Sequence, residues 1–276
     1  MHSITLADGT PIPTLGQGTW RLGERGADRG AEAAVLRLGL DLGLTLIDTA
    51  EMYGDGGAEE VVGEAIAGRR EEVFLVSKAY PQNASRTQLP LACERSLRRM
   101  GTDVIDLYLL HWRGAVPLAE TAEAMERLKE QGKIRHWGVS NLDVADLEEL
   151  GPHLKNCAAN QVLYNLEARG VEFDLLPFCQ NELMPVMAYS PLGQGGALLR
   201  HPVIRRVAER QGATPAQVAL AWTLRNPGVI SIPKASNEAH LRENLGARLM
   251  VLTPEDLLEL DSAFPPPRHK RSLEMI

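Results

Sequence analysis

Short apolar runs and amphipathic stretches alternate along almost the whole chain. The runs "TLGQG", "LTLID", "VFLVSK", "VIDLYLLH", "IRHWGVSN", "ANQVLYN", "MPVMAYS" and "GVISIPK" read as eight strands. Their nearly continuous apolar character is that of parallel strands covered on both faces. Between them, segments such as "AEAAVLRLGLDLG", "SRTQLPLACERSLRRM" and "LAETAEAMERLKEQG" repeat apolar residues at helical spacing. Ser85 with Gln88 has the spacing of a capping box, and Thr214-Pro215 and Thr253-Pro254 each place a cap before a first-turn proline. Ahead of the first run, Asp8-Gly9 sits between two short alternating segments and predicts a hairpin.

Eight strand-helix units without a linker or a break in composition predict a single domain over residues 1–276, a (β/α)8 TIM barrel with an N-terminal β-hairpin. The rival is a doubly wound sheet. No G-x-G-x-x-G opens the first helix to favour it, since "GQGTW" is only G-x-G, and the late "PLGQGGALL" lacks a P-loop lysine.

Composition narrows the function. A formal net charge of −7 argues against a nucleic-acid binder, and no apolar run approaches membrane-spanning length. Cys93, Cys157 and Cys179 lie far apart without zinc-like spacing, so reduced core thiols and no metal are expected. The opening "MHSITLADGT" has neither a basic nor an apolar leader segment, so a cytoplasmic protein is expected. The tail "FPPPRHKRSLEMI" reads as a solvated C-terminal segment packing across the barrel.

Barrel chemistry sits at the C-terminal ends of the strands. There the chain offers Asp48, Lys78, His111, Ser140 with Asn141, Gln161, Tyr189 with Ser190, and Lys234. A carboxylate at the end of a buried strand needs a partner, and adjacent strands lie about 5 Å apart, so Lys78 can pair with Asp48. A lysine beside Tyr53 favours the phenolate and predicts a tyrosine pKa below about 10. With His111 orienting a substrate oxygen, such a site stabilises an alkoxide forming from a carbonyl.

The motifs "GQGTW", "LIDTAEMYG", "VFLVSK", "LYLLHW", "IRHWGVSN", "NQVLYN", "AYSPLGQGG" and "SIPKASNEAHLREN" resemble, in order and spacing, those of the aldo-keto reductase family. The likeness covers essentially the whole chain and is greatest to the bacterial methylglyoxal-reductase-like group. It implies NADPH-dependent reduction of small aldehydes and α-dicarbonyls. Asp48, Tyr53, Lys78 and His111 would be the catalytic tetrad, with Tyr53 as proton donor. Gly18 and Thr19 would contact the coenzyme; Ser140, Asn141 and Gln161 would hold its carboxamide, and Tyr189 would stack on its ring. Ser190, Leu192 and the following glycines, Gly193, Gly195 and Gly196, would wrap the pyrophosphate.

A phosphate is expected near Lys234 on independent grounds, because this cation precedes a helix start at Ser236-Asn237-Glu238. By the same resemblance Glu243 and Asn244 would recognise adenine. Ala235 replaces a frequent serine, and His240 stands where many NADPH-specific members have arginine, so NADH is expected as a secondary coenzyme. Trp20 and Trp112 would wall an open substrate pocket. Arg113, where the family often has proline, is read as solvated.

The expected partner is a small carbonyl compound, and the expected state a monomer. Two other activities fit the resemblance: a keto-sugar or alcohol oxidoreductase, and a coenzyme-binding regulatory protein. A barrel metallohydrolase is disfavoured, since His111 alone offers too few ligands.

Overall fold

A computed structural model of the chain describes residues 3–194 and 196–276; of the glycines expected at the pyrophosphate, Gly195 lies outside these residues. The chain opens with the antiparallel hairpin β1 (Ser3–Thr5) and β2 (Pro11–Pro13). Asp8 caps its turn by accepting the Thr10 N–H at 3.0 Å.

Eight parallel strands follow: β3 (Gly16–Gly18), β4 (Leu46–Asp48), β5 (Phe74–Ala79), β6 (Ile105–Leu110), β7 (Ile134–Ser140), β8 (Cys157–Leu163), β9 (Val186–Tyr189) and β10 (Val229–Ser231). Each pairs in parallel with the next in sequence order. The two edges meet through bridges Leu15 to Ser231 and Gly18 to Lys234. Backbone bonds from Ser231 N to Thr14 O (2.8 Å) and from Gly18 N to Pro233 O (3.0 Å) close the seam. The sheet is therefore a (β/α)8 barrel, as the alternation predicts.

The helices are α1 (Arg29–Asp41), α2 (Gly57–Ile66), α3 (Gln88–Met100), α4 (Leu118–Glu130), α5 (Val144–Glu149), α6 (Leu175–Asn181), α7 (Pro202–Arg210), α8 (Pro215–Leu224), α9 (Glu238–Gly246) and α10 (Pro254–Ala263). One follows each barrel strand except β9, which is followed by two, and α10 comes after the last unit. Both predicted Thr-Pro starts form full capping boxes, with Gln217 and Asp256 returning the bond. The box predicted at Ser85 is half made: Ser85 Oγ accepts the Gln88 N–H at 3.2 Å and the Ser85 carbonyl accepts the Leu89 N–H at 2.9 Å, while among the described residues no bond returns from the Gln88 side chain. Pro90 has no N–H to continue the ladder, so α3 becomes regular only from Gln88.

Strand alternation divides the core in two. Ile47, Leu75, Ala79, Tyr108, Leu110 and Val162 face outward and pack under the helices. Leu46, Val76, Leu107, Leu109, Ala159, Met187, Ile230 and Ile232 fill the barrel, together with Leu6 and Ile12 from the hairpin. The hairpin thus plugs the N-terminal end, leaving the opposite rim as the open end.

Gly18 is required by closure. A Cβ placed there would lie 2.7 Å from the Ile232 carbonyl oxygen, a backbone atom with no freedom to swing away. We expect Gly18→Ala to lower stability by about 1–3 kcal/mol. Urea unfolding beside the wild type measures this, and an unchanged midpoint would show that the seam yields without cost.

Candidate active site

The inward parity of each strand carries over to its rim. Two residues beyond the inward Leu46, Val76, Leu109, Ala159, Met187 and Ile232 come Asp48, Lys78, His111, Gln161, Tyr189 and Lys234. With a period of two, these side chains share the barrel axis with the apolar layer beneath them. They line a cavity of about 670 Å³, with Gly18, Thr19, Tyr53, Ser140, Asn141, Ser190, Leu192, Trp20 and Trp112 also on its wall. Lys78 is the exception: it lies wholly buried at the cavity floor.

The Lys78 ammonium has three hydrogens, and all are directed at named acceptors. They go to the Asp48 carboxylate (2.9 and 3.0 Å), the Thr49 carbonyl (2.9 Å) and the Tyr53 hydroxyl (3.2 Å). Gln161 Nε2 donates to Asp48 Oδ1 at 2.7 Å, so the carboxylate is held from a second side. Burial opposes the ammonium, but the attraction of Asp48 and Tyr53 outweighs it and holds the Lys78 pKa above its usual value. The expected Asp48–Lys78 pair is present.

For Tyr53 the expectation is reversed. Burial is the largest influence and raises its pKa above 10; Lys78 pulls the other way without prevailing, and Asp48 adds to the rise. Sequence spacing shows the cation beside the phenol but not the low dielectric around it. The phenol therefore stays protonated at neutral pH. The His111 ring meets Tyr53 edge-on at 5.8 Å. Burial, followed by the charge of Lys78, pushes the His111 pKa down to about 2, so this imidazole is neutral. Its Nδ1 is buried without a protein partner.

Above this floor lies a second hydrogen-bonded set. The Tyr189 hydroxyl donates to Asn141 Oδ1 (2.9 Å), and Asn141 Nδ2 donates to the His111 carbonyl and to Ser140 Oγ, both at 3.1 Å. Ser140 Oγ donates to the Gln161 carbonyl at 2.8 Å. Asn141 and Ser190 have φ of 59° and 47°, in the left-handed region that non-glycine residues seldom occupy. Backbone strain of this kind collects at functional sites.

At the mouth, Arg21 joins Lys234 on the cavity wall, its guanidinium 4.7 Å over the Trp20 ring. Burial lowers the Lys234 pKa, an effect that Glu32 and Glu24 resist and Arg21 reinforces. Two cations at one end of a cavity suit phosphate groups, and a tyrosine face beside amide and hydroxyl groups suits a nicotinamide. The wall thus fits the dinucleotide implied by the sequence. Ser236, Glu243 and Asn244 lie outside the cavity wall. They belong to the loop and helix α9 after Lys234, with Asn244 buried. Asn237 caps α9 through the His240 N–H. Ala235 packs against the apolar cluster of Leu15, Leu44 and Leu241, which a serine hydroxyl would interrupt.

Sequence reasoning missed Arg21, Met52 and the contact of the tail with the cavity. The tail packs across the barrel as expected: Lys270 bonds Asp143 and Asp174, and Leu273 packs on the outer core. Met275 and Ile276 then reach the cavity wall. Polar and apolar residues mix in this segment, and nothing in their order shows that it reaches the cavity. Arg113 is partly exposed, as expected, but its charge is met by Asp146 and Glu149. Among the described residues, no group of three or more His, Cys, Asp or Glu is placed to hold a metal ion.

The model of the aldo/keto reductase family matches residues 14–264. The methylglyoxal reductase YeaE of Escherichia coli (strain K12) is 53% identical over 279 residues, covering 99% of this chain and 98% of that protein. An aldo/keto reductase from Klebsiella pneumoniae, crystallised with NADP and acetate, is 52% identical with a TM-score of 0.96, covering 99% of each chain. A Klebsiella pneumoniae structure in complex with NADPH gives the same identity and TM-score over 100% of both chains. The chain belongs to the aldo/keto reductase family.

The depressed His111 pKa has a signed consequence for stability. Unfolded, this histidine takes up a proton below about pH 6.5; folded, it resists until the pH is far lower. Stability therefore falls as pH drops below that point, by up to about 1.4 kcal/mol per pH unit from this group. We expect His111→Gln to flatten the decline measured by urea unfolding between about pH 6 and about pH 4. An equal slope in both proteins would mean that His111 protonates in the native state.

Proposed function

We propose that this member of the aldo/keto reductase family reduces small aldehydes and α-dicarbonyls to alcohols with NADPH. The observation that carries the reading is the contact of the Tyr53 hydroxyl with the saturated, buried Lys78 ammonium at 3.2 Å, beside a neutral His111 on the wall of one cavity. NADPH, when bound, supplies the hydride that adds to the carbonyl carbon.

The residues of the chain supply the rest. Tyr53 and His111 hydrogen-bond the substrate oxygen and fix its direction. As that oxygen becomes an alkoxide it is more basic than the phenolate, and the Tyr53 proton moves to it. The phenolate left behind faces the Lys78 ammonium, which stabilises it within a site of low dielectric. Asp48 keeps that ammonium in place, and the Tyr53 proton is then replaced from solvent. The raised Tyr53 pKa serves this direction of reaction, since it keeps the donor protonated beforehand.

Ser140, Asn141 and Gln161 would hold the carboxamide, and Tyr189 would lie against the ring and leave only its opposite face for transfer. Gly18, Thr19, Ser190, Leu192, Lys234 and Arg21 would hold the phosphates, and Ser236, Glu243 and Asn244 would take the adenine end. With histidine at 240, NADPH is preferred while NADH remains a secondary coenzyme. The part of the wall formed by Trp20, Met52, Trp112, Met275 and Ile276 receives the carbonyl compound. The methylglyoxal reductase relative supports an α-dicarbonyl among the substrates. One domain over the whole chain, action as a monomer and a cytoplasmic location belong to the same reading.

The test is coenzyme oxidation with methylglyoxal and a panel of small aldehydes, using NADPH and NADH separately. Wild type should turn over faster with NADPH. Tyr53→Phe should bind NADPH with near-wild-type affinity and lose about 10²–10⁴-fold in kcat. Tight NADPH binding by a wild type that reduces nothing would favour a regulatory, coenzyme-reporting role instead.

A further inference from the structure

Glu51 lies two residues before Tyr53, is almost completely buried, and does not line the cavity. Burial of a carboxylate is costly unless it is paired or hydrogen-bonded, so its partners show what holds it there. Oε1 accepts the Tyr80 backbone N–H at 2.7 Å and Asn83 Nδ2 at 2.9 Å. Among the described residues, Oε2 faces only the guanidinium of Arg95, 3.9 Å away and partly exposed. The side chain therefore spends its hydrogen-bonding capacity on the loop that follows the Lys78 strand.

That loop leads back to the chemistry by a second route. The Tyr80 ring meets Trp112 edge-on at 5.9 Å, Trp112 lies 4.8 Å from His111, and His111 meets Tyr53 at 5.8 Å. Gly114, just beyond Trp112, approaches Pro81 so closely that a Cβ would come within 2.6 Å of its side chain. The contacts form a ring: Glu51, Tyr80, Trp112, His111, Tyr53, and back to Glu51 along two residues of backbone. The Tyr53 segment has little regular structure of its own. It holds to β5 through Thr49 N to Val76 O (2.9 Å) and Glu51 N to Lys78 O (3.2 Å), and Gly54 and Asp55 leave it with φ of 58° and 53°.

We infer that Glu51 is a positioning residue for the proposed reduction: its carboxylate pins the Tyr53 loop to the loop after Lys78. By the same bonds it sets the Tyr80 ring that supports Trp112 and His111. The inference rests on the carbonyl-reductase reading. It assigns no chemical step to Glu51, which does not touch the cavity.

The experiment compares wild type, Glu51→Ala and Glu51→Gln. Active sites are counted by stoichiometric NADPH binding, so that misfolded protein does not lower the apparent rate. Glutamine retains an acceptor oxygen at the end of the same stem, and alanine does not. Glu51→Ala should bind NADPH as wild type does and lose about 10–100-fold in kcat with methylglyoxal. Glu51→Gln should keep most of the wild-type kcat. In parallel, hydrogen exchange should speed up in Glu51→Ala at the Tyr80 amide and across residues 49–56, and not in Glu51→Gln.

A kcat per NADPH site that is unchanged in Glu51→Ala overturns the inference. So does a Glu51→Gln variant as slow as Glu51→Ala, since hydrogen bonding would then not be the cause. If wild type itself reduces no carbonyl, the functional reading fails, and exchange alone decides whether Glu51 holds the loop. Unchanged exchange in Glu51→Ala refutes that too.

Discussion

A fully buried ammonium is the constraint on which the rest of this site depends. Lys78 points into the barrel because it follows Val76 on the inward parity of β5, and the hairpin plug closes the only other end. An unpaired charge there would cost several kcal/mol and would be relieved by loss of the proton. Each hydrogen is instead directed at an acceptor, and the carboxylate that balances the charge is itself held by Gln161 from across the barrel. Tyr53 supplies the third acceptor, which makes the phenol part of the lysine's solvation. In the proposed reading, chemistry and stability share one set of bonds.

From that floor the cavity changes character toward its rim. Neutral His111 and the protonated phenol of Tyr53 offer donors to an oxygen. The bonded set of Ser140, Asn141 and Tyr189 lines the wall with amide, hydroxyl and phenol groups, while Arg21 and Lys234 place positive charge at one end. The aromatic and aliphatic residues Trp20, Trp112, Met275 and Ile276 carry no full side-chain charge. In the proposed reading, an elongated anionic cofactor and a small carbonyl compound would take different parts of one space. The division needs no motion of the strands, since every polar group stands at or just beyond a strand end.

Much of this was legible in the sequence because alternation in a parallel barrel fixes where side chains point. Once the apolar runs are aligned, Asp48, Lys78, His111, Gln161, Tyr189 and Lys234 fall at equivalent positions, and the Asp48–Lys78 pair follows from strand spacing alone. What escaped depends on tertiary distance or dielectric. The Tyr53 pKa was misjudged because neighbours can be read from a sequence and depth cannot. Only half of the Ser85 box is made, because a three-residue spacing does not reveal where the Gln88 side chain turns. The tail and Glu51 act through partners far away along the chain or hidden behind the wall, and their own neighbours in sequence give no sign of it.

The most direct test of the central claim removes both charges at once. In Asp48→Asn/Lys78→Met no uncompensated charge is left in the barrel, so the protein is expected to fold and to bind NADPH. Steady-state oxidation of NADPH by methylglyoxal should nevertheless fall by at least about 10²-fold, because the phenolate loses the cation that stabilises it. Turnover near the wild-type rate in this double variant would show that the ion pair serves the fold alone and would contradict the account.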